Sequence, residues 1–169
     1  MSQQRCAHSG INEYMTSVGS QCNFLKTSAA LKTALEPVGS RERFSGSQLL
    51  FREEDSNSGV FLLVRGKIRM GVRGLPKLDR LFTAGSLLGL PSTFTGHTYS
   101  LSAEALTDVE VVHVPQAAFL QLMKDQSDLC REATEMLGRE VTFIQSALAE
   151  RRKQAAKNKV SPFEIGALM

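Results

Sequence analysis

Cysteine and histidine carry the widest chemical range in this 169-residue chain, and there are three of each. Cys6, Cys22 and Cys130 lie far apart, with no Cys-x-x-Cys and no Cys/His pair at zinc spacing. Cys6 with His8 offers two ligands in a polar tail, too few to hold a zinc ion, so no metal site is expected. A disulfide framework would need an even, clustered set. Cys130 falls among apolar helix positions and reads as a small buried hydrophobe. His8, His97 and His113 fall in a tail, a loop and a strand. No Gly-x-Ser-x-Gly, His-Glu-x-x-His or Gly-x-x-x-x-Gly-Lys-Ser/Thr occurs. His113, in an alternating strand, is expected to face solvent or to make one backbone hydrogen bond. No catalytic residue can be named, and the chain is not expected to be an enzyme.

The segment from Gly85 to Leu106 is the one that reads as more than scaffold. It holds Gly85, Gly89, Gly96, Pro91 and a run of hydroxyls between two strands. Such a loop can turn several backbone N–H groups toward one point, as anion sites do. An ordinary long connection rich in turn residues has the same composition.

The elements that must position this loop follow from periodicity. Residues 1–23 are polar and aperiodic, which predicts a loosely attached segment. Phe24, Leu25, Ala29, Leu31, Ala34 and Leu35 fit a short helix over 23–35, ended by Pro37 and Gly39. From Ser40 the pattern changes to period two. Strands are expected at 49–51, 60–64, 67–72, 79–82, 99–103 and 109–114, with Arg65-Gly66 at a tight hairpin. Turn signals at Gly46, Asp55 through Gly59, Gly74 with Pro76, Gly85 and Gly96 separate them. Strands first and helices later exclude a βαβ arrangement and favour a sandwich or rolled sheet.

Pro115 is expected to open a helix whose buried face is Phe119, Leu120, Leu122 and Met123. A second helix, capped by Ser127-Asp128, runs over 127–158. Along it Leu137, Val141, Ile144 and Leu148 recur at spacings of four, three and four, flanked by Met136 and Phe143: a coiled-coil seam. A helix of about 30 residues spans some ~45 Å, more than the β-domain can cover. Self-pairing is the simplest way to bury such a stripe, so a homodimer is expected.

Composition sets the outer bounds. The chain is 42% hydrophobic and 22% charged, with net charge +3, too little to predict nucleic-acid binding. Arg151, Arg152, Lys153, Lys157 and Lys159 crowd the end of the long helix, where cations meet the negative end of its dipole. No apolar run approaches the ~20 residues of a membrane span. No apolar h-region follows the N-terminus, so a cytoplasmic location is expected.

Phe51-Arg52-Glu53-Glu54-Asp55 and the run from Gly59 through Arg69, then Gly85-x-x-x-Gly89, Ala103 through Thr107 and Val112-x-Val114-Pro115-x-x-x-Phe119, resemble cyclic-nucleotide-binding domains of the CRP/FNR regulators. The resemblance extends over about residues 29–150. It implies a mainly β fold with flanking helices: an antiparallel, jelly-roll-like double-stranded β-roll over 24–126, a dimerisation helix over 127–158 and a tail over 159–169. It places the phosphate-binding cassette at Gly85, Leu88, Gly89, Leu90, Pro91, Thr98, Tyr99 and Ser100. The family's ribose-gripping glutamate position is Leu90 here, and the phosphate-pairing arginine falls at Tyr99 or Ser100. Losing such a charge-assisted bond removes about 1.5–3 kcal/mol, so a cyclic nucleotide is not expected to bind tightly and no cofactor is implied. Glu54 stands where most members place a glycine.

The resemblance therefore implies a stand-alone effector sensor, linked to signalling or transcription regulation and open to a small-molecule effector. The alternatives are a ligand-free homo- or heterodimerisation module acting on a full-length regulator, or the sensor half of a transcription regulator. The helix-turn-helix of such regulators has no room before Met169, so no direct contact with nucleic acid is expected. The clustered N-terminal cysteines of an iron–sulfur site are missing as well.

Overall fold

A computed structural model describes residues 25–74 and 79–159, except for the side chains of Ala147 and Lys159. The polar segment 1–23, Cys6, His8, Cys22, Phe24, Pro76 and residues 160–169 lie outside the described residues.

The first helix is shorter than periodicity predicts. Leu25 is buried in a turn, and Lys26 forms an isolated antiparallel bridge with Ser86. The Leu87 N–H donates to Leu25 O and that of Thr27 to Gly85 O. Residues 25–27 are thus held as extended chain against the roll. Helix α1 starts only at Ala29 and runs to Leu35, once Ser28 Oγ accepts from the Leu31 N–H at 3.2 Å. Glu132 accepts from both the N–H and the hydroxyl of Ser28 at 2.7 Å, tying this cap to the long C-terminal helix. A 3-10 turn over Glu36–Val38, carrying Pro37, ends it.

Eight strands follow: β1 Ser40–Phe44, β2 Leu49–Phe51, β3 Gly59–Arg65, β4 Ile68–Gly71, β5 Arg80–Phe82, β6 Leu87–Leu88, β7 Ser102–Ala105 and β8 Val109–Pro115. They form two antiparallel four-stranded sheets, ordered β1-β8-β3-β6 and β2-β7-β4-β5. Leu62, Leu63, Ile68, Met70, Phe82 and Val111 fill the space between them, each at most 1% exposed. This is the expected β-roll. At the Arg65-Gly66 hairpin Gly66 takes φ 99°, and a Cβ there would meet Asp108 O at 2.5 Å, so the turn admits only glycine.

Three differences from the sequence reading have physical causes. Strand β1, Ser-Arg-Glu-Arg-Phe, is too charged to read as a strand. It is an edge strand whose partner β8 supplies the counter-groups: Arg41 and Arg43 pair with Glu110, and Glu42 meets His113 Nδ1 at 3.1 Å. The strand expected at 99–103 begins only at Ser102, because Tyr99 is drawn into the loop described below. Pro115 is the last residue of β8, paired with Gly59, and α3 (Gln116–Asp125) begins one residue later. Its face is buried through Phe119 and Met123.

Helix α4, Ser127–Lys159, has 33 residues and is roughly 50 Å long. Leu129, Ala133, Met136 and Glu140 sink into the roll. Cys130 is half-buried, as a small hydrophobe would be. The Arg80 guanidinium lies 5.0 Å over the Phe143 ring, a cation–π contact that holds β5 to α4. Among the described residues no helix is long and apolar enough to cross a membrane.

Candidate effector pocket between roll and helix

The Gly85–Leu106 segment is more ordered than a plain connection. After β6 it forms a short helix, α2 (Leu90–Thr95), entered through Gly89 at φ 87°. A Cβ at Gly89 would come within 3.1 Å of Gly59 O and 3.2 Å of the Tyr99 ring, so the left-handed turn and the close approach both require glycine. Several of the N–H groups in this loop are already engaged or missing. Pro91 has no N–H, the Thr93 and Gly96 N–H groups bond to Gly89 O and Ser92 O, and the Tyr99 N–H donates to Asp55 O.

The eight cassette positions do not all converge. Gly85, at φ 93°, donates to Leu63 O and accepts from Thr27, so it anchors the N-terminal segment rather than a site. Leu88 and Leu90 are wholly buried in the core. Gly89, Pro91, Tyr99 and Ser100 border one small cavity, which Glu140 and Ile144 of α4 close. Its free volume is about 10 Å³, enough for roughly one water molecule. Thr98 lies just outside, on an adjoining groove.

Tyr99 is the centre of this arrangement. Its ring stacks on Phe51 at 4.0 Å between centroids and is 3% exposed. Its hydroxyl donates to Gly59 O at 2.9 Å and accepts from the Ser58 N–H at 3.1 Å. Its backbone brackets the early turn, since the Glu54 N–H donates to Tyr99 O at 2.8 Å. Glu54 takes φ 73°, the left-handed conformation that a glycine would adopt without cost. Asn57 ties the same turn to α2, donating to Ser92 O at 3.0 Å and accepting from the Gly59 N–H at 2.8 Å.

His113 makes the one backbone hydrogen bond expected of it, and an ion-pair contact besides. It is half-buried, stacks on Phe61 at 4.6 Å, and has both ring nitrogens engaged: Nδ1 with Glu42 and Nε2 with Ser58 O, each at 3.1 Å. Contacts with β1 and with the β2–β3 turn hold it there.

Sequence reasoning missed Glu140. It is 2% exposed, borders the cavity from α4, and its Oε2 has no hydrogen-bond partner among the described residues. Burial alone raises its pKa from 4.5 to about 8, so the carboxyl is neutral at pH 7. Among the described residues no lysine or arginine lines the cavity. The only sequence signal was an acidic residue four positions after Met136 on the inward stripe of a helix. Among the described residues no group of three or more histidine, cysteine, aspartate or glutamate side chains could hold a metal.

Comparison with known proteins gives this geometry a lineage. Residues 41–126 match the cyclic nucleotide-binding domain family. The chain is 27% identical over 142 residues to the nitrogen fixation regulation protein FixK of Bradyrhizobium diazoefficiens, covering 82% of this chain and 58% of FixK. Its fold is similar to the Thermus thermophilus catabolite activator protein, with TM-score 0.63 and 21% identity over 81% of this chain and 66% of that one. It is also similar to FixK2 of Bradyrhizobium japonicum, with TM-score 0.54 and 18% identity over 64% of this chain and 55% of that one. The chain thus spans 58% of the length of its curated relative. It belongs to the cyclic nucleotide-binding domain family, within the CRP/FNR superfamily.

Proposed function

We propose that this chain is an effector-sensing domain of a CRP/FNR-type regulator whose pocket no longer grips a cyclic nucleotide, and that it acts as a homodimer along α4. The observation that carries this reading is the cavity between roll and helix. Gly89, Tyr99 and Ser100 border it from the roll, Glu140 and Ile144 from α4. A molecule that enters there pushes on both, and Ile144 also belongs to the seam of Leu137, Val141 and Leu148. Occupancy is thereby converted into a change in how two long helices meet.

The same cavity is unsuited to a cyclic phosphate. Leu90 is sealed in the core, Tyr99 spends its hydroxyl on Gly59 and Ser58, and the acid Glu140 borders the cavity. Titration calorimetry with cyclic AMP, cyclic GMP and a panel of small metabolites tests this. No saturable heat is expected from either nucleotide, and binding of either in the micromolar range would overturn the reading.

The alternative is a dimerisation module without a ligand, favoured by the small size of the cavity, about 10 Å³. It predicts that no compound in the panel changes the sedimentation or the thermal midpoint. The sensor reading predicts that at least one does.

A further inference from the structure

We propose that Glu140 is the recognition carboxyl of this pocket and that its effector is a primary amine on an apolar body, the ammonium group set against Oε2 and the body lying in the groove between α2 and α4. This deepens the sensor reading and rests on it.

Three observations point to that chemistry. The first is the carboxyl itself: buried, on a residue that borders the cavity, and unpartnered at Oε2 among the described residues. A polar group left so costs free energy unless something else supplies the bond. The second is the surroundings. Phe51 and Tyr99 border the cavity as a stacked aromatic pair. None of the described residues around the cavity is basic, so none of them competes with an incoming cation or invites an anion.

The third is size and continuity. The cavity admits a group about as large as water, which an ammonium is. It shares Pro91, Ser92, Ser100 and Ile144 with an adjoining groove of about 260 Å³, whose far wall includes Val141. That volume suits a small aryl or alkyl body. His97, exposed on the groove, is its one titratable side chain among the described residues. Head group and body thus have separate places, and the body lies against the seam.

The proton balance is explicit. Buried Glu140 holds its proton at pH 7, while a free primary amine is already an ammonium ion. On binding, the Glu140 O–H bond breaks, the proton passes to buffer, and a carboxylate–ammonium pair remains. Binding therefore releases close to one proton.

The test is calorimetry on the full chain with phenethylamine and hexylamine, with 2-phenylethanol as the neutral isostere and cyclic AMP as the anion. Each is run at pH 7 in two buffers of different ionisation enthalpy. The amines should bind at least about tenfold more tightly than the alcohol. Their apparent enthalpies should differ between buffers by about one proton released. Glu140→Gln, checked for intact fold by circular dichroism, should weaken amine binding roughly ten- to hundredfold and abolish the buffer dependence. Equal binding of amine and alcohol, or undiminished amine binding by Glu140→Gln, overturns the assignment. Binding of the alcohol or of another metabolite without the amines also overturns it and leaves the sensor reading standing. Absence of binding by every compound overturns both.

Discussion

Two stripes run along α4 with the same spacing and opposite fates. Leu129, Ala133, Met136 and Glu140 recur at four, three and four, and each is at most 5% exposed against the roll. Leu137, Val141, Ile144 and Leu148 repeat that spacing eight residues later. There Leu137 and Ile144 are half-buried, while Val141 and Leu148 remain 38% and 43% exposed. Eight residues turn a helix by about 80° beyond two full turns, so the stripes lie on adjacent faces. One face already has its partner. The other is apolar and only partly covered: Leu137 and Ile144 pack against the edge of the core while Val141 and Leu148 stay exposed, which is the physical motive for a second copy.

The comparison is sharpest when one residue of each stripe is altered. Met136→Ala should cost about 2–5 kcal/mol of folding stability, read by urea denaturation, since it opens a cavity between helix and roll. A cost below about 1 kcal/mol would mean that the inward stripe does not hold α4 down. Ile144→Asp places a charge on the seam and at the edge of the cavity. Sedimentation should show its self-association weakened by two orders of magnitude or more, on the order of 3 kcal/mol. If it sediments as the parent does, the seam is not the interface.

The next test uses the stripe's one misfit. Folded Glu140 has a pKa of about 8 against 4.5 for an ordinary glutamate. Between those values the folded state therefore holds a proton that the unfolded state has released. Its favourable contribution is complete below about pH 4.5 and is lost as pH rises to about 8. Stability should fall over that window by a few kcal/mol, and Glu140→Gln should flatten the decline and raise stability at pH 8. A decline unchanged in the variant would place its origin elsewhere. The smallest effect belongs to the roll. Glu54→Gly should raise stability by about 1 kcal/mol by relieving a left-handed backbone at φ 73°. A lower thermal midpoint would show that the Glu54 side chain contributes more than its backbone costs.

Much of the roll was legible in sequence. β2 was read to the residue, while β3, β4 and β8 were read within two residues of their ends, because alternating apolar residues facing one core leave a local mark. Strand β1 was not, because its charges are balanced by Glu110 and His113 from β8, some seventy residues away. Helix α2 hid inside a run of glycine, proline and hydroxyls. Its start depends on Gly89 packing against Gly59 and Tyr99, again a tertiary contact. The seam was read from spacing, whereas the equal spacing that ends on Glu140 passed unnoticed, because an acidic residue breaks the apolar pattern.

By itself the sequence determined most of the strand order, the long final helix, and the uncharged identity of Leu90, Tyr99 and Ser100 in the loop. These are local matters: periodicity, turn chemistry and residue identity. Only tertiary structure decided which stripe of α4 faces the roll, that Tyr99 is held at the cavity by bonding to Gly59 and Ser58, and that Glu140 is buried at its border. Burial is a property of what surrounds a residue. A glutamate on a helix is an ordinary surface residue until a sheet from elsewhere in the chain covers it and takes away its water.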